Sequence, residues 1–189
     1  LVIDNFRVLA QAVGLKTKPL GSPTALPIAA TIPANFNLSK GTYIVVHPFG
    51  SNQLKSLPPE RTHSILQALA AAHPQFSFVV TGGPQDGVAI QKIIDGLPRT
   101  QAAIGIPILE VAGLIQHAVL YIGVDTGITH LAAMMGKNML ALEHPTHPRW
   151  FPTYNPKSVM LLNDSANTRE GLWDVSDSVV LAQVSSMHI

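Results

Sequence analysis

Short apolar runs alternate along this chain with longer stretches whose apolar residues recur at helical spacing. Tyr43-Ile44-Val45-Val46-His47 is rich in β-branched residues and reads as a strand. Pro58-Pro59-Glu60 then opens a helix with Ile65, Leu66, Leu69 and Ala72 on one face, ending at His73-Pro74. The alternation continues with a strand over 76–81, a helix over 88–94, a short strand over 102–104 and a helix over 109–117. A strand over 119–124 leads into a helix over 128–135, which Gly136 stops. Strands over 139–142 and 159–162 follow, and a helix over 176–184 closes the pattern. Upstream, residues 1–15 read as a short helix stopped by Gly14. Residues 16–40, with Pro19, Pro23, Pro27 and Pro33, read as a linker.

Strand and helix in alternation, with strands apolar throughout their length, predict an α/β fold: a parallel sheet with helices on both faces. Such sheets bind ligands at the carboxyl ends of their strands. That rule directs attention to the loops at 47–58, 82–87, 104–107, 125–129 and 143–152, and every unusual cluster in the chain lies in one of them.

Composition narrows the function classes. The chain has 189 residues, 47% hydrophobic and 12% charged, with a formal net charge of +1. That is enough apolar material for a full core, and no basic block supports nucleic-acid binding. There are no cysteines, so disulfides and thiolate metal sites are excluded. The first residue is Leu1 and Asp4 follows almost at once, so the start does not read as a signal peptide but as the edge of a fragment. No window reaches the roughly 20 apolar residues that a membrane-spanning helix needs.

Asp125-Thr126-Gly127-Ile128-Thr129-His130 follows an apolar strand and begins a helix. A helix N-terminus offers free N–H groups and partial positive charge, which suit a phosphate or diphosphate. Gly127 allows close approach, Thr126 and Thr129 add hydroxyls, His130 can donate from the first turn, and Asp125 serves as cap or orienting acceptor. The same text also fits an ordinary capped helix start. In the loop after Tyr43–His47, Gly50 and Ser51 are followed by Lys55, backbone N–H groups plus a mobile cation that fit a phosphate cradle. It is not a Walker A loop, and a solvated lysine is the competing reading. Gly82-Gly83-Pro84 is not the dinucleotide fingerprint, because Pro84 takes a required glycine position. In the loop from Glu143 to Trp150, His144 and His147 lack metal-ligand spacing, so no metal site is expected. Thr146 or Arg149 facing a phosphate is preferred. No nucleophile elbow and no close carboxylate pair is evident.

Taken together, these loops resemble the C-terminal domain of the family 9 glycosyltransferases, the heptosyltransferase family of lipopolysaccharide synthesis. The resemblance covers about residues 41–155. It rests on His47-Pro48-x-Gly50-Ser51 with Lys55 and Pro58, on Gly82-Gly83-Pro84, and on Leu109 to Ala112. It rests further on Gly123-Val124-Asp125-Thr126-Gly127-Ile128-Thr129-His130-Leu131-Ala132-Ala133, and on Pro145-Thr146-x-Pro148 with Pro152. It implies one Rossmann-like half of a GT-B fold, with a linker over 1–40, a nucleotide-sugar-binding domain over 41–165 and a tail over 166–189.

The resemblance implies that Thr126, Gly127 and His130 contact the donor's diphosphate, with Asp125 supporting the turn. Gly50 and Ser51 would line the same pocket, and Lys55 would neutralise phosphate charge. It places Asp86 near the ribose and Ile106 against the base. It implies an ADP-heptose-like donor, no cofactor, no divalent metal for binding, and a cytoplasmic protein that can be peripheral at the inner membrane. The acceptor site and the catalytic base would belong to an N-terminal domain, so residues 1–189 alone are expected to be inactive. A tail packed on that domain would leave an apolar face here and favour a homodimer. Other readings are a GT-B epimerase or hydrolase of nucleotide sugars and a non-catalytic nucleotide-sugar module. An oxidoreductase domain, lacking the fingerprint, ranks last.

Overall fold

The computed structural model describes residues 11–14, 30–51, 53–143, 152, 155–162, 176–187 and 189. Its centre is a six-stranded sheet of β1 (Tyr43–His47), β2 (Ser77–Gly82), β3 (Thr100–Ile104), β4 (Leu120–Val124), β5 (Met139–Glu143) and β6 (Ser158–Leu162). The spatial order is β3-β2-β1-β4-β5-β6, and every neighbouring pair is parallel. The chain winds outward from β1 in one direction and, after crossing back to β4, in the other. The carboxyl ends of β1 and β4 therefore flank the point where the winding reverses, and a crevice opens there.

Among the described residues, five α-helices cover the sheet: α1 (Pro59–Ala72), α2 (Gly87–Ile94), α3 (Ile108–His117), α4 (Gly127–Met134) and α5 (Asp177–Ser186). Alternation within each strand sorts the core into two layers. Ile44, Val46, Phe78, Val80, Leu120 and Ile122 pack toward α1, α2 and α5, with Leu66, Leu69, Ile90, Ile93, Val180 and Val184. Tyr43, Val45, Val79 and Tyr121 pack toward α3 and α4, with Leu114, Ile115, Ala132 and Ala133.

Helix starts follow local chemistry. Prolines precede α1 and α3, where the missing N–H costs nothing. Thr126 caps α4 and Ser176 caps α5, each side chain accepting a backbone N–H three residues on. The elements predicted from Tyr43 onward are all present, most within one residue of their expected ends. β3 is longer than the pattern suggests, reaching back to Thr100. It is an edge strand whose Thr100 and Gln101 are only half-buried, so its apolar signal is short.

Both flanks have described parts that pack against the domain. The described part of the proposed linker, 30–40, has no regular structure but is packed onto the domain. The Ala30 N–H donates to Gln116 Oε1 at 3.2 Å, His117 Nε2 lies 3.0 Å from the Ala30 carbonyl, and Phe36 is buried. Gly113 makes this approach feasible, since a Cβ there would lie 2.1 Å from the Thr31 carbonyl oxygen. At the other end, α5 packs into the domain's core, with Val180 and Val184 fully buried. Of the helix expected over 1–15, only 11–14 are described, and they end in a turn with Gly14 at φ +80°.

Candidate functional site

The loop after β1 and the turn after β4 meet across the reversal point. The β1 loop folds back on itself: the Gly50 N–H donates to Ser56 Oγ at 2.9 Å, and the Leu57 N–H donates to the Pro48 carbonyl at 2.7 Å. Lys55 ends a one-turn 3₁₀ helix, Gln53–Lys55, lying directly over Gly50. A Cβ at Gly50 would stand 2.4 Å from the Lys55 carbonyl oxygen, so only glycine permits this fold. From there Lys55 reaches across to β4 and its Nζ donates to Asp125 Oδ2 at 3.1 Å.

Asp125 and Thr126 lead directly into α4. Gly127, its first residue, is exposed, and a Cβ there would meet nothing within 4 Å. The first turn therefore faces open space and retains the partial positive charge of a helix start. Ser51, Lys55, Asp125, Thr126, Gly127 and His130 line one cleft of about 320 Å³. That is a small-molecule-sized recess, with a cation, a hydroxyl pair, an imidazole and a helix N-terminus converging on it.

The other predicted residues lie elsewhere. Gly50 shapes the loop without lining the cleft. Thr129 is buried, its Oγ1 donating to the Val124 carbonyl and lying 2.9 Å from the Tyr121 hydroxyl, so its side chain is part of the strand–helix joint. Asp86 caps its own turn, accepting from the Gly83 N–H at 2.8 Å and from Gln85 Nε2 at 3.2 Å. Ile106 is half-buried and packs on the core layer beneath α3 and α4. Thr146, Arg149, His144 and His147 lie outside the described residues. No group of three His, Asp or Glu side chains positioned to hold a metal occurs among the described residues. None of their helices is long and apolar enough to cross a membrane.

Two side chains beside the cleft had not been singled out as site residues. His47 ends β1, in register with Gly123 of β4, and its Nδ1 lies 2.9 Å from Thr81 Oγ1. Burial pushes its imidazole down to about 4, partly offset by hydrogen bonding to Thr81 and by the negative charge of Asp86, so it is neutral at physiological pH. Tyr121 is fully buried beneath the first turn of α4. A tyrosine two positions before a glycine at a strand end is the signal that would have found it.

A doubly wound parallel sheet, with a lysine facing a helix N-terminus across its reversal point, defines a Rossmann-like domain. The chain belongs to glycosyltransferase family 9, the heptosyltransferase family, whose model matches residues 1–171. Among curated proteins it is similar to lipopolysaccharide heptosyltransferase 3 of Escherichia coli, 30% identical over 119 residues, covering 60% of this chain and 34% of that protein. Among solved structures it resembles E. coli heptosyltransferase WaaC with ADP, at a TM-score of 0.72 and 19% identity, covering 96% of this chain and 54% of that one. The same enzyme with ADP-2-deoxy-2-fluoro heptose gives 0.69 at 19% identity, over 95% and 53%. The fold is that of one half of a GT-B enzyme. The chain spans about a third of the length of the curated relatives it matches and about half of these solved chains.

Proposed function

We propose that this chain is the donor-binding half of an inverting glycosyltransferase that takes its sugar from a nucleoside-diphosphate sugar, ADP-heptose or a close analogue. The observation that carries the reading is the Lys55–Asp125 contact at the reversal point, beside the open N-terminus of α4. In this reading the donor's diphosphate lies between Lys55 and the first turn of α4, with Thr126, His130 and Ser51 as further donors. An acceptor hydroxyl attacks the anomeric carbon as the bond to the diphosphate breaks. The nucleoside diphosphate leaves with the bonding electrons, and a base outside these residues takes the hydroxyl proton. The lysine, the hydroxyls and the helix start stabilise charge growing on the leaving group, which is where fixed dipoles lower a barrier most. The membership in the heptosyltransferase family and the likeness to lipopolysaccharide heptosyltransferases support a role in lipopolysaccharide or related glycan assembly, in a cytoplasmic protein. That ADP and an ADP-heptose analogue occupy structurally similar enzymes supports adenine over other bases.

Calorimetric titration of the protein with ADP, UDP, GDP and CMP tests the proposal. ADP is expected to bind saturably, unchanged by EDTA, and more tightly than the others. Lys55→Ala is expected to weaken ADP roughly ten-fold or more while leaving adenosine nearly unchanged, since a charge-assisted contact to phosphate is lost. Absence of binding by all four nucleotides, or equal losses for ADP and adenosine, would overturn it.

A further inference from the structure

The anion-facing turn of α4 is held by a hydroxyl chain that the sheet supplies from below. Thr129 Oγ1 donates to the carbonyl of Val124, the last residue of β4. Its one proton is thereby used, so the oxygen can only accept from the Tyr121 hydroxyl 2.9 Å away. The Thr129 N–H in turn donates to Thr126 Oγ1 at 3.4 Å, closing the cap of the helix. Burial drives the Tyr121 phenol well above its ordinary range, so it stays protonated and keeps donating.

The sequence has made room for this chain. Tyr121 lies across position 123, where a Cβ would stand 2.3 Å from its hydroxyl oxygen. Only glycine lets the phenol pass and reach the helix. Thr126 and Gly127 line the cleft on one side of the turn, and Tyr121 and Thr129 brace it from the other.

We infer that Tyr121, acting through Thr129, is a positioning residue that fixes the first turn of α4 for diphosphate. The inference rests on the donor-site reading above, but the brace itself exists in the ligand-free protein. Tyr121 is fully buried and does not line the cleft, so its effect on a ligand is indirect and passes through the first turn of α4.

Tyr121→Phe keeps the ring and removes the donor. It is expected to weaken ADP roughly three- to ten-fold, as loss of one neutral hydrogen bond would, with adenosine changed less than two-fold. Thr129→Val should do the same, and Thr129→Ser should restore wild-type binding. A second measurement needs no ligand. Amide hydrogen exchange of residues 126–131 should speed up in Tyr121→Phe, with α1 unchanged. Faster exchange there without any nucleotide binding to wild type would sustain the brace and remove the donor reading. Unchanged exchange at 126–131, or equal loss of ADP and adenosine, would overturn the inference. Should Tyr121→Phe fail to fold, the Thr129→Val and Thr129→Ser pair decides the matter by the same readouts.

Discussion

Thr126 and Thr129 are three residues apart and carry the same hydroxyl, and helical spacing alone puts them on adjoining positions of one turn. The structure gives them opposite tasks: Thr126 lines the cleft, and Thr129 is 1% exposed and bonded to β4. What separates them is Tyr121, whose reach from below depends on Gly123. His47 shows the same dependence on surroundings. It closes the strand read from the sequence, and burial there makes it a neutral group with a depressed pKa. The unfolded chain takes up a proton near pH 6.5 and the folded chain only near pH 4. Between those values the unfolded state binds more protons, so stability falls as pH drops from about 6.5 to about 4 and then stops changing from this source. The contribution is on the order of 1–2 kcal/mol between pH 6.5 and pH 5. Urea melts of wild type and His47→Gln at these two pH values check it. The variant should lose less stability on acidification, and parallel losses would show that His47 does not titrate in this way.

At the scale of elements, the β1 loop is where backbone geometry decides function. Gly50→Ala puts a Cβ within 2.4 Å of a backbone oxygen, so the loop must open rather than one side chain turn aside. Lys55 would then move away from Asp125. The expected result is a loss of about 1–3 kcal/mol of stability together with weaker ADP binding. Gly87→Ala is the contrasting case. Gly87 has φ −53°, and its nearest neighbour to a new Cβ would be Ile104 Cγ2 at an ordinary 3.7 Å, so stability should hold or rise by about 0.5 kcal/mol. Thermal melts and ADP titrations of the two variants check this, and equal destabilisation would refute the steric argument. Helix starts were legible to within about a residue because proline and small polar residues act locally, but the cap of α4 is Thr126, while Asp125, the cap candidate, takes the role of acceptor and receives Lys55. The full extent of β3 was not, because an edge strand carries only part of the apolar signal. The Lys55–Asp125 contact was not legible either. The two residues are 70 positions apart, and only the placement of β1 beside β4 brings them together.

For the molecule as a whole, strand order is what turns scattered loops into a site, and helix packing is what holds that order. The α/β alternation announces a parallel sheet, but it does not say which strands are neighbours or where the last helix goes. The resemblance supplied the nucleotide-sugar reading; the location of α5 came from packing alone. α5 closes the layer over α1, with Val180 and Val184 in the core and Asp177 joined to Arg61 at 3.0 Å and to Ser64. These contacts differ in worth. The Arg61–Asp177 pair is partly exposed on both sides, so screening limits it to about 0–1 kcal/mol. Val184 is fully buried, and Val184→Ala removes two carbons from a packed layer, for about 2 kcal/mol with the cavity included. Urea denaturation should therefore show a clear drop in midpoint for Val184→Ala and a small one for Asp177→Asn. ADP affinity under native conditions should be unchanged in both, because α5 packs on α1 and the core layer beneath it and does not line the cleft. A wild-type midpoint in Val184→Ala would mean that α5 lies off the core in solution, and the tail would again be free to pack elsewhere.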